Sequence, residues 1–184
     1  MRIVAGTHRG RKLAEVGAGD PEAHLRPTAD RVREALFSTL QDGRWGDLVT
    51  GAHVLDLFAG TGALGLEALS RGAASATFVD NGTVARGLIT DNLARLGLTA
   101  PVLECDVGAL PPATQPCSLV FLDPPYGQRL GLAALKSARA AGWIAHGAVI
   151  VWEEDSPQVA PRGTTRLDQR RHGDTWITLL KANA

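Results

Sequence analysis

Asp56-Leu57-Phe58-Ala59-Gly60-Thr61-Gly62 is the stretch on which the fold turns. It closes an apolar run at residues 53–58 and leads into an Ala/Leu-rich segment at 63–70, which Arg71-Gly72 ends. A strand that meets a glycine turn and runs straight into a helix opens an α/β unit. The pattern then repeats. Residues 76–80 predict a second strand and 84–96 a second helix, stopped by Gly97. Residues 102–105 predict a third strand and 118–123 a fourth, almost wholly apolar as a central parallel strand should be. A helix over 130–141 and a strand over 148–153 follow. The chain closes with two β-rich runs, 164–171 and 175–181, joined by His172-Gly173-Asp174, which suits an antiparallel hairpin. Alternating strands and helices imply an α/β, Rossmann-like, doubly wound parallel sheet that binds ligands at the carboxyl ends of its strands. Asp56, Asp80, Asp106 and Asp123 fall at or near those ends.

Bulk properties set outer limits. The chain has 184 residues, 45% apolar and 21% charged, with formal net charge zero. That is ordinary for a globular domain and gives no global field for a polyanion. The charge is uneven, however. Residues 1–33 carry seven Arg and Lys against four Asp and Glu, and residues 162–172 carry four Arg and His172 against Asp168 alone. Cys105 and Cys117 have no metal-ligand spacing and are expected as buried free thiols in a reducing compartment. With no targeting segment and no apolar run near about 20 residues, a cytoplasmic protein without membrane contact is expected.

Gly60-Thr61-Gly62-Ala63-Leu64-Gly65 fits G-x-G-x-x-G, with Asp80 placed to hold a ribose hydroxyl pair. A dinucleotide oxidoreductase therefore competes. Asp56 argues against it, because a carboxylate beside the loop would repel a pyrophosphate. S-adenosylmethionine carries an ammonium and a sulfonium and no phosphate, so the same carboxylate would attract it. Asp106, beyond the third strand, can accept from an adenine amino group. The candidate cofactor contacts are Asp56, Phe58, Ala59, Gly60, Thr61, Gly62, Asp80, Asn81, Asp106 and Val107.

The second stretch with chemistry is Asp123-Pro124-Pro125-Tyr126. Two prolines stiffen the backbone and remove two N–H donors, leaving an acceptor-rich corner. The Asp123 carboxylate and the Pro124 carbonyl could hold both hydrogens of a planar exocyclic amine and aim its lone pair at a methyl donor. Tyr126 could stack on a flipped base.

Asp56-x-Phe58-x-Gly60-x-Gly62 with Asp123-Pro-Pro-Tyr126 resembles the class I amino-methyltransferases. Three further segments narrow this: Arg2-Ile3-Val4-Ala5-Gly6, Arg9-Gly10-Arg11-Lys12-Leu13, and Arg26-Pro27-Thr28-x-Asp30-Arg31-Val32-Arg33-Glu34. With Asp56 through Gly72, they are similar to the bacterial RsmD family, which modifies a guanine amino group in 16S ribosomal RNA. The resemblance implies a seven-stranded, mostly parallel class I sheet, S-adenosylmethionine as donor, guanine N2 as acceptor, and 16S rRNA in an assembling small subunit as partner. A basic RNA-contacting extension at residues 1–48 ahead of a methyltransferase domain at 49–184 is expected, in a monomer. Arg9, Arg11, Lys12, Arg26, Thr28, Arg31 and Arg33 become candidate RNA contacts. Asp80-Asn81 departs from the Glu expected there, and the Gly-rich loop at 14–24 is longer. Methylation of DNA, other RNA or a protein amide would use the same two central motifs.

Overall fold

The structure is a computed structural model that describes residues 1–15 and 30–183. Its elements run α1 (Asp30–Asp42), β1 (His53–Leu57), α2 (Ala63–Ser70), β2 (Ser75–Val79), α3 (Thr83–Leu96), β3 (Val102–Leu103), a 3₁₀ turn (Val107–Ala109), β4 (Cys117–Leu122), α4 (Leu130–Ala140), β5 (Ile144–Glu154), β6 (Thr164–His172) and β7 (Thr175–Ala182). Seven strands form one sheet in the order β3-β2-β1-β4-β5-β7-β6. The first five are parallel, and β6 and β7 close the edge as an antiparallel hairpin. The order reverses at β1, between the β2 and β4 sides, and that is where a crevice opens in such a sheet.

Two expected strands differ in length. β3 has two residues rather than four. Past Leu103 the chain turns away: Glu104 pairs with Arg86 on α3 at 2.8 Å, and Asp106 caps the 3₁₀ turn. β5 starts earlier, at Ile144, and its pairing with β4 shifts register between Cys117 and Leu119. The bulge lets a longer β5 continue alongside β4.

The side chains of alternate strand residues divide the core in two. On one face Val54, Phe78, Leu119, Phe121, Val149 and Val151 meet α1, α2 and α3 through Leu36, Phe37, Leu66, Ile89 and Leu93. On the other, Leu55, Leu57, Val120, Leu122 and Ile150 meet α4 and the 3₁₀ turn. Cys117 is buried and free, and burial pushes its thiol up to about 11; Cys105 is half-buried rather than buried. Among the described residues no helix is long and apolar enough to cross a membrane.

The first residues do not hang off this body. Residues 1–13 fold back on themselves through Ile3 N–H to the Arg11 carbonyl (2.9 Å) and Gly10 N–H to the Ile3 carbonyl (2.8 Å). Ile3 and Leu13 enter the same core cluster as Phe37 and Leu66. The arm docks on the end of α2, where Thr7 N–H donates to the Ser70 carbonyl at 2.8 Å. Gly6 allows this approach: it has φ +82°, and a Cβ there would overlap the Ser70 carbonyl.

Candidate active site at the carboxyl edge of the sheet

Register sets the geometry. Leu57 of β1 pairs with Val79 of β2 and with Leu122 of β4. The next residues, Phe58, Asp80 and Asp123, therefore stand level across three adjacent strand ends. Asp123 N–H also donates to the Leu57 carbonyl at 3.4 Å. The glycine loop thus lies between the Asp80 and Asp123 ends. Strand alternation puts Asp56, Asp80, Asp123 and Glu153 on one face.

The loop is held in a sharp path. Phe58 has φ +58°, a left-handed conformation that costs a non-glycine residue roughly 1–2 kcal/mol. Ala59 N–H donates to the Val79 carbonyl at 3.1 Å, and Gly60 N–H to Asp80 Oδ2 at 2.9 Å. The other Asp80 oxygen accepts from Gly82 N–H at 2.8 Å. Asp80 is therefore a clasp between loop and β2 as well as a candidate ribose ligand. Gly65 acts through its lack of a side chain, since a Cβ there would strike the Phe78 ring and approach Asp56 Oδ2 at 3.0 Å. The third glycine of the G-x-G-x-x-G pattern is thus explained by close helix-on-sheet packing, without a pyrophosphate.

Asp56 corrects an expectation. It is 1% exposed, and its Oδ2 accepts from Gly65 N–H at 2.9 Å. Burial raises its pKa to about 8, against the lowering effect of the Gly65 bond, with Asp80 adding repulsion. Direct contact with a ligand is replaced by bracing of α2. At neutral pH the group is largely protonated, so its charge repels a pyrophosphate less than the sequence suggested. A carboxyl whose folded pKa is raised loses its proton first in the unfolded chain. The Asp56 contribution to stability should therefore fall as pH rises from about 4, its unfolded value, to about 8. The slope is at most about 1.4 kcal/mol per pH unit. Asp56→Asn keeps an acceptor for Gly65 and should flatten that slope, which urea midpoints across pH would measure.

The corner beyond β4 is partly buried. Burial, then the Glu153, Asp56 and Glu154 carboxyls, hold the Asp123 pKa well above the carboxylate range. Pro124 is buried, and Pro125 and Tyr126 are half-buried. The Tyr126 hydroxyl shares a 2.8 Å hydrogen bond with Thr175 Oγ1, which ties the corner to the start of β7. Asp106 is exposed and its Oδ1 accepts from Gly108 N–H at 2.6 Å. That is a turn cap, with the second oxygen left for a ligand. The Val107 side chain is 8% exposed and points into the core, so only its backbone could meet a cofactor. Asn81 is exposed, and its carbonyl accepts from Arg86 at 2.8 Å.

The basic candidates separate. Arg9, Arg11, Lys12 and Arg31 are exposed. Arg26 and Thr28 lie outside the described residues. Arg33 is corrected: it is 0% exposed and cannot reach RNA phosphate. Its guanidinium pairs with Asp30 at 2.8 Å and Glu67 at 3.5 Å, and it also donates to the Arg2 carbonyl. Glu67, fully buried, is the hub that sequence reasoning missed. It accepts from Val4 and Ala5 N–H at 2.8 and 2.9 Å and pairs with Arg71 at 2.8 Å. A lone acid inside the apolar 63–70 helix was its only signal. Glu153 and Glu154, 6% and 5% exposed, were missed for a similar reason, being at the end of an apolar strand.

Comparison with known proteins agrees with this layout. A family described as Conserved hypothetical protein 95 matches residues 1–181. Ribosomal RNA small subunit methyltransferase D of Escherichia coli K12 is 38% identical over 157 residues, 84% of this chain and 75% of that protein. The Haemophilus influenzae protein of the same name is 34% identical over 181 residues, 94% of this chain and 89% of its own. The solved Escherichia coli protein yhhF superposes with TM-score 0.82 at 34% identity, covering 100% of this chain and 98% of that one. The chain belongs to the RsmD family, that of the ribosomal RNA small subunit methyltransferase D proteins.

Proposed function

We propose that the chain transfers the methyl group of S-adenosylmethionine to the exocyclic N2 of a guanine in 16S rRNA, in an assembling small subunit. The observation that carries this is the level placement of the glycine loop, the Asp80 end and the Asp123-Pro124-Pro125-Tyr126 corner on β1, β2 and β4. The donor set fits the cofactor. Residues 56–62, 80–81, 106–107 and 123–126 contain no Lys or Arg, and Asp80 and Asp106 stand at the strand ends beside the loop, which suits a cationic sulfonium ligand better than a phosphate. S-adenosylmethionine supplies an electrophilic methyl when bound. The chain's work is then positioning. Asp80 would hold the ribose hydroxyls and Asp106 the adenine amine. Ionised Asp123 and the Pro124 carbonyl would accept hydrogen bonds from the two N2 hydrogens, and Tyr126 would pack on the base. As the N–CH3 bond forms and the S–CH3 bond breaks, the methylated amine would release one proton to water. Arg9, Arg11, Lys12 and Arg31 would bind phosphate without reading sequence. The names of the relatives support an rRNA substrate.

The test is a fractionation with radiolabelled S-adenosylmethionine and RNA, DNA, protein and unmethylated small subunits. Label on a 16S guanine is expected. Label on DNA, protein or another base would discard the substrate, and no label with no cofactor binding would return the dinucleotide reading. Asp80→Ala removes both a ribose ligand and the Gly60 clasp. Its S-adenosylhomocysteine Kd should rise about 10–100-fold, roughly 1.4–2.7 kcal/mol, read by calorimetry.

A further inference from the structure

Asn92 of α3 is 0% exposed, in a row with Ile89, Leu93 and Leu96 that faces the core. An amide buried there is tolerated only if its groups are bonded. Its bonds join two segments that serve different ligands. Asn92 Oδ1 accepts from Ala14 N–H at 2.5 Å. Its Nδ2 donates to the Thr61 carbonyl at 2.9 Å and lies 3.4 Å from the Ala14 carbonyl. Ala14 ends the basic arm, two residues past Lys12, and Thr61 is the middle of the glycine loop.

Two further contacts run the same way. The Thr61 hydroxyl points at the Met1 sulfur at 3.9 Å, and Arg11 donates to the Arg95 carbonyl on the last turn of α3 at 2.7 Å. The arm is closed on itself, with Arg2 opposite Lys12 and Leu13 N–H bonded to the Met1 carbonyl at 3.2 Å, and its middle docks on α2 through Glu67 and Ser70. Its two ends, Met1 and Ala14, are the parts that meet the glycine loop, Met1 directly and Ala14 through Asn92.

We infer that Asn92 is a positioning residue that couples the two halves of the site, so that cofactor on the glycine loop and RNA on the basic arm each bind more tightly when the other is present. The inference rests on the functional reading above. A cofactor that fixes the loop fixes the Thr61 carbonyl, and the Asn92 amide carries that order to Ala14. RNA then meets an arm whose Ala14 end is already held in place. Linkage makes the effect equal in both directions.

The experiment measures S-adenosylhomocysteine affinity with and without unmethylated small ribosomal subunits, and subunit affinity with and without S-adenosylhomocysteine. Roughly tenfold tightening in each direction is expected for the unmodified protein, within the usual range for coupled sites. Asn92→Leu keeps the volume and removes the bridge. Its coupling should fall below about twofold, while each ligand alone binds within about threefold of its normal affinity; a purely structural residue would weaken each ligand and leave the ratio alone. A second measurement needs no variant. Adding S-adenosylhomocysteine to the unmodified protein should slow amide exchange at Ala14, Ile3 and Gly10 about tenfold. Unchanged arm exchange, or tenfold coupling retained in Asn92→Leu, overturns the inference. Binding of both ligands without coupling overturns it alone, whereas failure to bind either one overturns the functional reading with it.

Discussion

Asp123→Ala is expected to lower kcat by at least about a thousandfold while S-adenosylhomocysteine affinity stays within about threefold. Mutation of one preorganised electrostatic partner commonly removes two to three orders of magnitude. Here the loss should sit at the upper end, because the Asp-Pro-Pro corner has few other acceptors. The Pro124 carbonyl alone can hold one amine hydrogen and cannot pyramidalise the nitrogen. The cofactor loop is anchored elsewhere, by Asp80 to Gly60 and by Val79 to Ala59, so binding should survive. Single-turnover transfer and calorimetry on the same variant separate the two effects. Full activity in Asp123→Ala would remove the corner from the mechanism. The pH profile follows from the same residue. The corner holds both amine hydrogens strongly only when Asp123 is ionised, and burial with Glu153 beside it holds the Asp123 pKa well above the carboxylate range. Activity should therefore rise with pH through that elevated value. Glu153→Gln removes the largest neighbouring charge and should move the acid limb to lower pH.

Arg33→Ala should cost about 3–5 kcal/mol of stability, the usual result of stripping one partner from a buried ion pair. The change leaves Glu67 fully buried with one counter-charge fewer, and Glu67 also holds the Val4 and Ala5 amides. At roughly 2–4 °C per kcal/mol for a domain of this size, Tm should fall by roughly 6–20 °C. Arg31→Ala, two positions away and exposed, should leave Tm within about 1 °C and weaken RNA binding with a shallower salt slope. Differential scanning calorimetry and filter binding on the pair distinguish them. Equal Tm values for the two variants would refute the buried-pair account.

The contrast between these two arginines marks where sequence reading stops. Both follow Asp30 in one helix, both are cationic, and both fit a phosphate-binding helix start. Helical spacing in the sequence picks out Val32, Ala35, Leu36, Thr39 and Leu40 as the apolar face, whereas the buried side of α1 is Leu36, Phe37 and Leu40, with Ala35 exposed. Arg33 lies on that same side, where its charge is tolerated because Asp30, the Arg2 carbonyl and Glu67 from another helix surround it. Asp56 shows the same limit. Its place at the strand end was readable, and its burial under Gly65 was not.

The chain's local patterns by themselves determined the alternation of strands and helices, the hairpin at the end, and the acids and glycines along one edge. Each of these is written within a few neighbouring residues, through periodicity, turn chemistry and apolar runs. Only the tertiary structure decided which charges are surface and which are buried, how the basic arm docks, and that the arm shares a bond network with the glycine loop. Those outcomes rest on partners far apart in the chain, 63 residues for Val4 and Glu67 and 78 for Ala14 and Asn92. A buried polar group is stable only when its partner arrives, and the partner's arrival is a property of the whole packing.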